Sequence, residues 1–486
     1  MAVQMDYKKL SLKAGIEIHR RLATKEKLFC SCKSYITSKP HTKQIKRKLR
    51  PVVGETGKFD IATKFEMEKD RIFIYNIYPK HVCLVDTDSE PPHSLNKEAL
   101  ETALKICLLL NCEIPNEIHI MRKIITDGSA ISGFQRTMLC GINGWFEFNG
   151  KKVEIASVNL EEESAGIIQK KDGEVLYRLD RQGIPLVEIS TKVLEDFTLD
   201  EIKKIARKIG MILKSTGKVQ GGIGSIRQDV NISIKNGQRV EIKGVQDLKL
   251  VSKVIELEIK RQLELIKRGR KVTEDVRRAL PNGTTSYMRP LPGAARMYPE
   301  SDLEPVRIDE SFVNAIEKQL PETIDEKKQR FEKMNLSKEL VDEISKSGYS
   351  DLFEKIVDKF DIEPRIVANV FVNTLKDLER REKIDVKKLN ENDFMELFSL
   401  LSKKKIAKES IPEILKYKTK YEMKIADIFK KLGLETLSKK QLEKIVDDII
   451  KKNKGKDKKL IIGIVMSKVR GKASAKDVIE LIGKKI

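Results

Sequence analysis

Cysteine and tryptophan are scarce, with six and one respectively in 486 residues. Six cysteines over so long a chain make no disulfide framework, so stability must come from packed cores in a reducing compartment. The opening Met1–Tyr7 lacks the apolar segment of a secretory leader. The longest apolar runs, such as Leu460–Met466, are far too short to span a bilayer. These absences predict a cytoplasmic protein without a membrane partner. There is no Walker A motif, dinucleotide fingerprint, kinase catalytic loop or internal repeat.

Charge, by contrast, is abundant. Charged residues make up 35% of the chain, hydrophobic residues 40%, and the formal net charge is +22. The length suggests two to four domains. So basic a protein is biased toward polyanions, with nucleic acid ahead of membrane surfaces, although a lysine-rich proteome gives the same bias. The charge is also uneven. Residues 401–486 hold 25 Lys and Arg against 11 Asp and Glu, a net +14, which leaves +8 for the first 400 residues. A basic unit appended to a nearly balanced body is the pattern of a nucleic-acid-binding tail.

Patterning predicts an α+β body over residues 1–310. Alternation at Arg71–Tyr75 and Val230–Ile234 reads as strand, and Val240–Lys243 as a partner strand across the Asn236-Gly237 turn. Asn96 caps one predicted helix through Leu110, with Leu100, Leu104, Cys107 and Leu108 on one face. Thr198 and Glu201 form a capping box ahead of the stripe Ile202, Ile205, Ile209 and Ile212. A third helix is predicted over Asp247–Arg268. Beyond about Leu320 the periodicity is helical, with Pro364 and Pro412 marking helix starts. A helical domain is expected over 311–402 and a basic helical tail over 403–486. Within the tail, Lys451–Lys459 reads as a loop.

Four segments carry candidate chemistry. In Gly15-Ile-Glu-Ile-His19, Glu17 and His19 share a strand face and could hold a divalent ion, or form an ordinary polar face. Glu161, Glu162 and Glu163 repel one another unless a cation offsets them; a solvated acidic loop is the alternative. Glu188 lies inside the apolar run Ile184–Ile189, where an unpaired carboxylate is costly. Gly221, Gly222, Gly224 and Ser225 precede a strand carrying Arg227, Asp229 and Asn231, and their backbone could approach a phosphate. Cys30, Cys32 and Cys83, with His81 and Asp86 nearby, offer three thiolates where zinc wants four ligands. Cys107 and Cys112 read as core or helix-end residues.

Taken together, these motifs resemble a known family. Gly15–His19, Leu28-Phe-Cys-Ser-Cys32, Met121–Ser129, Ser132–Thr137, Tyr177–Glu188, Ile226-Arg-Gln-Asp-Val-Asn231, Glu241–Gln246 and Arg289-Pro-Leu-Pro-Gly-Ala-Ala-Arg-Met-Tyr-Pro-Glu300 occur in order. Their sequence is similar to that of the GatE family of glutamyl-tRNA(Gln) amidotransferases, archaeal relatives of bacterial GatB. The run Gly463–Lys472 resembles that superfamily's C-terminal helical domain. The resemblance implies a cradle-shaped catalytic domain, a helical linker and a helical tail. It implies that ATP phosphorylates the γ-carboxylate of glutamate on tRNA(Gln), and that ammonia then displaces the phosphate. The ammonia would come from an asparaginase-like glutaminase partner, because neither an amidase Ser-Ser-Lys pattern nor an asparaginase Thr-Gly-Gly-Thr segment is present. By motif, Mg²⁺ falls to His19, Glu162 and Glu188 with Glu17 beside them, and phosphate contact to Arg227 and Lys243.

Two departures from the family stand out. Bacterial relatives carry a C-x-C…C-x-x-C zinc site; here the second pair is Cys83-Leu-Val-Asp86, leaving either a Cys₃Asp zinc site or a lost one. Most GatE chains also carry an inserted domain resembling part of an aspartyl-tRNA synthetase, whereas here Arg270–Leu280 runs almost directly into Pro281–Thr285. Two rival readings remain. One is a bacterial-type GatB, disfavoured by the Arg-Pro-Leu-Pro-Gly segment. The other is a non-catalytic tRNA-binding relative, disfavoured by retention of His19, Glu162 and Glu188.

Overall fold

The computed structural model describes residues 7–50, 52–54, 57–222, 224–293, 296–421, 423–453, 456–469 and 471–485. Met1–Asp6 of the opening segment, Ile223 of the glycine-rich turn, Ala294 and Ala295 of the Arg289–Glu300 motif, Lys454 and Gly455 of the expected loop, and Arg470 lie outside the described residues. The chain divides into two compact units, Met1–Pro321 and Glu322–Ile486.

The first unit is mixed α and β, as expected. Its ten-stranded sheet runs in the order β14 (Thr285–Pro290), β13 (Asp275–Ala279), β12 (Val240–Val245), β11 (Ile226–Ser233), β1 (Lys13–Arg21), β10 (Pro185–Thr191), β7 (Lys151–Glu162), β6 (Phe134–Phe148), β5 (Ile120–Ile124), β15 (Met297–Pro299). Neighbours pair antiparallel except β12 and β13. A second sheet orders β2 (Lys43–Arg47), β3 (Ile72–Ile77), β9 (Glu174–Arg178) and β8 (Gly166–Lys171), and β16 (Val306–Arg307) pairs with β4 (Glu117–Ile118).

The edges of the large sheet are tied to each other. Strand β14 ends at Pro290 and β15, at the opposite edge, begins at Met297. The connecting residues 291–296 reach at most about 25 Å when fully extended. Ten strands laid flat would hold their edges roughly 43 Å apart. The sheet must therefore curl until its edges approach.

Alternation along β1 sorts its two faces. Ile16 and Ile18 join one apolar core with Ile202, Ile205 and Ile209 of α3 (Leu199–Ser215), Val251 and Ile255 of α4 (Leu248–Lys267), and Leu100 and Leu104 of α2 (Lys97–Leu109). Helices form there because each carries an apolar stripe and a capped start. Asn96 accepts from the Ala99 amide, Asp247 from the Lys249 amide, and Thr198 with Glu201 completes the capping box. The β11–β12 turn sits at Asn236-Gly237, with Asn236 at φ 64°. A side chain at Gly237 would come within 2.2 Å of Gln262 Oε1 and 2.9 Å of Ile234 Cγ1, so those side chains would have to shift to admit one. Residue 310 opens the helix Glu310–Glu317, whose Ile316 belongs to the same core, so the body runs past that point.

The second unit is helical. Pro364 opens the helix Pro364–Asn369, and Pro412 lies in the first turn of Ile411–Lys420. One apolar core extends from Phe331 to Leu434 and a separate small one from Leu442 to Ile482. The division expected near Lys403 thus falls within a continuous core, and the break between cores comes some thirty residues later. The expected loop is also shorter: Lys451 and Lys452 close the helix Lys439–Lys452, and Lys458 and Lys459 open Lys458–Lys468, as lysine's good helix propensity favours. Among the described residues no helix is long and apolar enough to cross a membrane.

Candidate active site

The face of the large sheet turned away from the helices bounds a cleft of about 800 Å³. Its floor is built on β1 and its neighbours. The register places His19 opposite Glu188, and Glu17 opposite Ser190 and Asp229. Glu188 tolerates its apolar run because Val187 and Ile189 turn into the core while Glu188 faces the cleft. His19 Nε2 lies 3.1 Å from Glu188 Oε2. Asn159 donates to Glu188 Oε1 at 3.1 Å, and Asn231 to Glu17 Oε1 at 3.1 Å. Donor atoms of Glu17, His19 and Glu188 all lie within 4.8 Å of one another, as do those of Glu17, Asp229 and Glu241.

The floor holds more carboxylate than its own cations offset. Burial, then Glu188 and Glu241, push the Glu17 carboxyl up to about 7 against the pull of Lys243 and His19. Burial also opposes charge on Glu188, but Lys123 and His19 outweigh it and hold that carboxyl well below the usual range. At His19, burial and Arg227 oppose the imidazolium; Glu188 and Asp229 outweigh them and raise it. His19 Nδ1 is buried and has no hydrogen-bond partner. A proton retained on Glu17 near neutrality is what a divalent cation would displace, and the carboxylate oxygens of this group suit Mg²⁺.

The structure redistributes several expected roles. Glu162 is not brought to His19 and Glu188. Strand alternation in Val158-Asn159-Leu160-Glu161 puts Asn159 and Glu161 on the cleft face, leaving Glu162 on the other. Glu162 instead accepts from the Arg136 amide at 2.9 Å and from its guanidinium at 3.4 Å. Glu161 lies in the cleft, accepts from Thr137 Oγ1 at 2.7 Å, and pairs with Lys123. Lys123 and Glu161 are functional candidates that motif matching did not select, although the alternation itself marks Glu161.

Arg227, expected at phosphate, turns away to Glu163, which accepts from it at 2.9 and 3.1 Å and from Arg181 at 2.9 Å. Lys243 does line the cleft but is held by Asp229 at 3.2 Å and by Glu241. Gly221, Gly222, Gly224 and Ser225 do not line the cleft. Their turn is folded on itself and on the end of β1: Ser225 Oγ donates to the Gly222 carbonyl at 2.8 Å, and the Arg21 amide to the Ser225 carbonyl at 3.0 Å.

Cys30, Cys32, Cys83 and Asp86 do converge, with their donor atoms within 4.8 Å of one another. Cys30 Sγ is 3.7 Å from Asp86 Oδ2, close to the roughly 3.7 Å edge of a tetrahedron drawn with zinc–sulfur bonds. Buried Lys27 donates to the other oxygen, Oδ1, at 2.9 Å, which orients the carboxylate toward the thiols. Sharing with Cys32 and Cys83, and burial, push the Cys30 thiol up, while hydrogen bonds from Cys30 and Cys32 pull Cys83 down. Gly183 packs against this pair; a side chain there would meet Asp86 Oδ1 at 3.2 Å. The donor set fits zinc.

Two outcomes follow from these clusters. Elemental analysis of folded protein should find close to one zinc per chain; folded, active protein without zinc would exclude a Cys₃Asp site. Glu163 is wholly buried, and although burial opposes its ionisation, Arg227 and Arg181 hold it down at about 2, against 4.5 ordinarily. Its stabilisation is whole above pH 4.5 and is lost as pH falls toward 2, a change on the order of 3 kcal/mol. Glu163→Gln should cost about 3–5 kcal/mol at pH 7 by stranding two guanidiniums. It should also flatten the acid limb of stability between about pH 4.5 and 2, measured by urea unfolding across that range. An acid limb as steep as the wild type's would remove Glu163 as its source.

Comparison with known proteins gives the same picture across the chain. Residues 12–314 match the GatB/GatE catalytic domain and residues 351–486 the GatB domain. The chain is 36% identical to the E subunit of the glutamyl-tRNA(Gln) amidotransferase of Methanocaldococcus jannaschii, covering 100% of both chains. It is 34% identical to the protein of that name from Saccharolobus solfataricus, covering 99% of this chain and 98% of the relative, and 35% identical to that of Archaeoglobus fulgidus with the same coverage. The first alignment extends over 629 positions against the 486 residues of this chain, as a missing internal segment requires. The chain belongs to the GatB/GatE family.

Proposed function

We propose that this chain converts Glu-tRNA(Gln) to Gln-tRNA(Gln), using ATP to phosphorylate the glutamyl γ-carboxylate and ammonia to displace the phosphate. The observation that carries this reading is the Glu17–His19–Glu188 group on the floor of a cleft large enough for a nucleotide and an aminoacyl end. Mg²⁺ held by Glu17, His19, Glu188 and neighbouring Glu161 would neutralise phosphate charge, which is most of what phosphoryl transfer to a carboxylate needs. The chain's own groups set that floor. Asn159 and Lys123 fix Glu188, Asn231 fixes Glu17, and Thr137 with Lys123 fixes Glu161. Lys243 offsets Asp229 and Glu241.

Ammonia is the remaining reactant, and an asparaginase-like glutaminase partner would supply it, since this chain lacks either glutaminase signature. The name carried by the relatives favours GatE over a bacterial-type GatB. A gel assay of Glu-tRNA(Gln) conversion, with and without each candidate partner, distinguishes the two and also tests a non-catalytic relative.

In that assay Glu188→Gln should lower phosphorylation by on the order of 10²–10³ while leaving tRNA affinity nearly intact. Turnover near that of the wild type would overturn the assignment of the floor.

The tail is proposed to grip tRNA. Residues 437–486 lie beyond the Phe331–Leu434 core and hold 15 basic against 6 acidic residues, a net +9. Removing them spares that core, whereas truncation at Lys403 would cut it. Each phosphate neutralised adds to the salt slope through counterion release. The truncated protein should therefore bind tRNA more weakly and with a shallower salt dependence, and should still form product from free ammonia at high tRNA. Unchanged affinity and slope would make these lysines a solvated surface.

A further inference from the structure

Both lysines of the cleft are already neutralised. Lys123 pairs with Glu161, Lys243 with Asp229 and Glu241, and His119 with Glu117 at 3.0 Å. Elsewhere in the unit some arginines are held by carboxylates, Arg136 by Glu300 at 2.7 Å, Arg178 by Asp180 at 2.7 Å, and Arg227 by Glu163, while others such as Arg20 and Arg21 are not, among the described residues. Arg239, Arg289 and Arg296 are set apart by their place. All three line the cleft, and among the described residues none has a carboxylate partner. Arg239 is exposed and the other two are half-buried.

Their placement is not accidental to the fold. Arg239 lies in the turn just before β12, at the end of the hairpin that carries Asn231 and Glu241. Arg289 lies in β14, opposite Val276, and Arg296 directly precedes β15. Arg289 therefore lies just before the connection that ties the sheet edges together across the cleft, and Arg296 is its last residue. That connection is anchored at Leu291, Gly293 and Arg296. The Leu291 amide donates to the Glu274 carbonyl at 3.0 Å, the Gly293 amide to Asp60 Oδ1 at 2.7 Å, and the Ile124 amide to the Arg296 carbonyl at 2.8 Å.

Unpaired guanidiniums above an acidic floor call for a ligand that is itself anionic and can bring a cation with it. A triphosphate does both: bridged to the floor by a divalent ion, it still keeps negative charge for the rim, and guanidinium matches phosphate oxygens bidentately. A single phosphodiester carries less charge and would meet the floor carboxylates without a cation of its own. We propose that Arg239, Arg289 and Arg296 bind the polyphosphate of the nucleoside triphosphate, displacing Arg227 and Lys243 from that role. This rests on the phosphorylating function proposed above.

The test is equilibrium binding of ATP and of adenosine, each with Mg²⁺, and of Glu-tRNA(Gln), to the full chain with its glutaminase partner. Arg239→Gln, Arg289→Gln and Arg296→Gln are compared with wild type. Each should weaken ATP roughly tenfold or more, leave adenosine and tRNA unchanged, and leave the thermal midpoint unchanged; Arg→Lys variants should recover part of the loss. Unchanged ATP affinity in all three would overturn the proposal. So would a loss confined to tRNA, which would assign the arginines to phosphodiesters of the acceptor end. If the Gln variants do not fold, the Lys variants alone decide, since lysine keeps the charge but not the bidentate geometry, and undiminished ATP binding in them overturns the proposal. Should wild type fail to form Gln-tRNA while the variants still lose ATP affinity, the amidotransferase reading falls and the rim stands.

Discussion

A six-residue connection between opposite edges of a ten-stranded sheet governs the architecture of this protein. A chain that short cannot bridge a flat sheet, so the strands must curl around the face opposite the helices. Everything chemical follows from that geometry. Strand alternation gives β1, β7, β10 and β11 an apolar side for α2, α3 and α4 and a polar side for the cleft. Curling then brings the connection, with Arg289 and Arg296, into the same cleft as that polar side. Fold stability and site assembly therefore depend on the same residues. Ile16 and Ile18 hold β1 against the helices, and in doing so hold Glu17 and His19 on the floor.

The electrostatics are layered in a comparable way. Around the cleft, buried charges are matched closely: Glu163 with two arginines, Lys27 with Asp86, Glu300 with Arg122 and Arg136. Such pairs contribute little net stability compared with apolar packing, but breaking one is costly, so they favour a single arrangement. The floor differs. There the carboxylates outnumber their partners, and Glu17 responds by keeping its proton to about neutral pH. The rim carries the opposite imbalance in its arginines. A site that is too negative below and too positive above is complete only with a cation and an anion in it, a simpler account than strain or accident for two adjacent local imbalances.

Much of this was legible in the sequence, for identifiable reasons. Glu17 and His19 were readable because two residues apart on a strand means one face. Glu188 was readable because a carboxylate in an apolar run needs a partner, and His19 is that partner at 3.1 Å. Caps at Asn96 and Thr198 are local chemistry and were placed correctly. Which of Glu161 and Glu162 faces the cleft was not readable, because adjacent acids differ only in parity, and the parity of β7 is fixed by its pairing with β10, a contact outside the local sequence. The pairing of Arg227 was not readable because its partner Glu163 is on another strand connection 64 residues away. The glycine-rich turn lies outside the cleft, and its glycines take left-handed backbone, with Gly222 at φ 92° and Gly224 at φ 75°.

The missing segment fits the same logic. Where the family resemblance places it, between α4 and the edge-to-edge connection, the chain here forms the tight hairpin of β13 and β14. The Leu280 amide donates to the Thr284 carbonyl at 2.8 Å, and the Gly283 amide to the Leu280 carbonyl at 2.8 Å. A hairpin tip is a surface position where chain can be added or removed without altering the pairing of the flanking strands. The β13–β14 register, and with it Arg289 and the start of the connection, is then set by the strands rather than by what the tip carries. A relative can therefore be much longer than this chain and still form the same cleft. A tRNA contact that a relative makes through the additional segment has no counterpart in this chain, whose net charge is concentrated at +14 of +22 in residues 401–486.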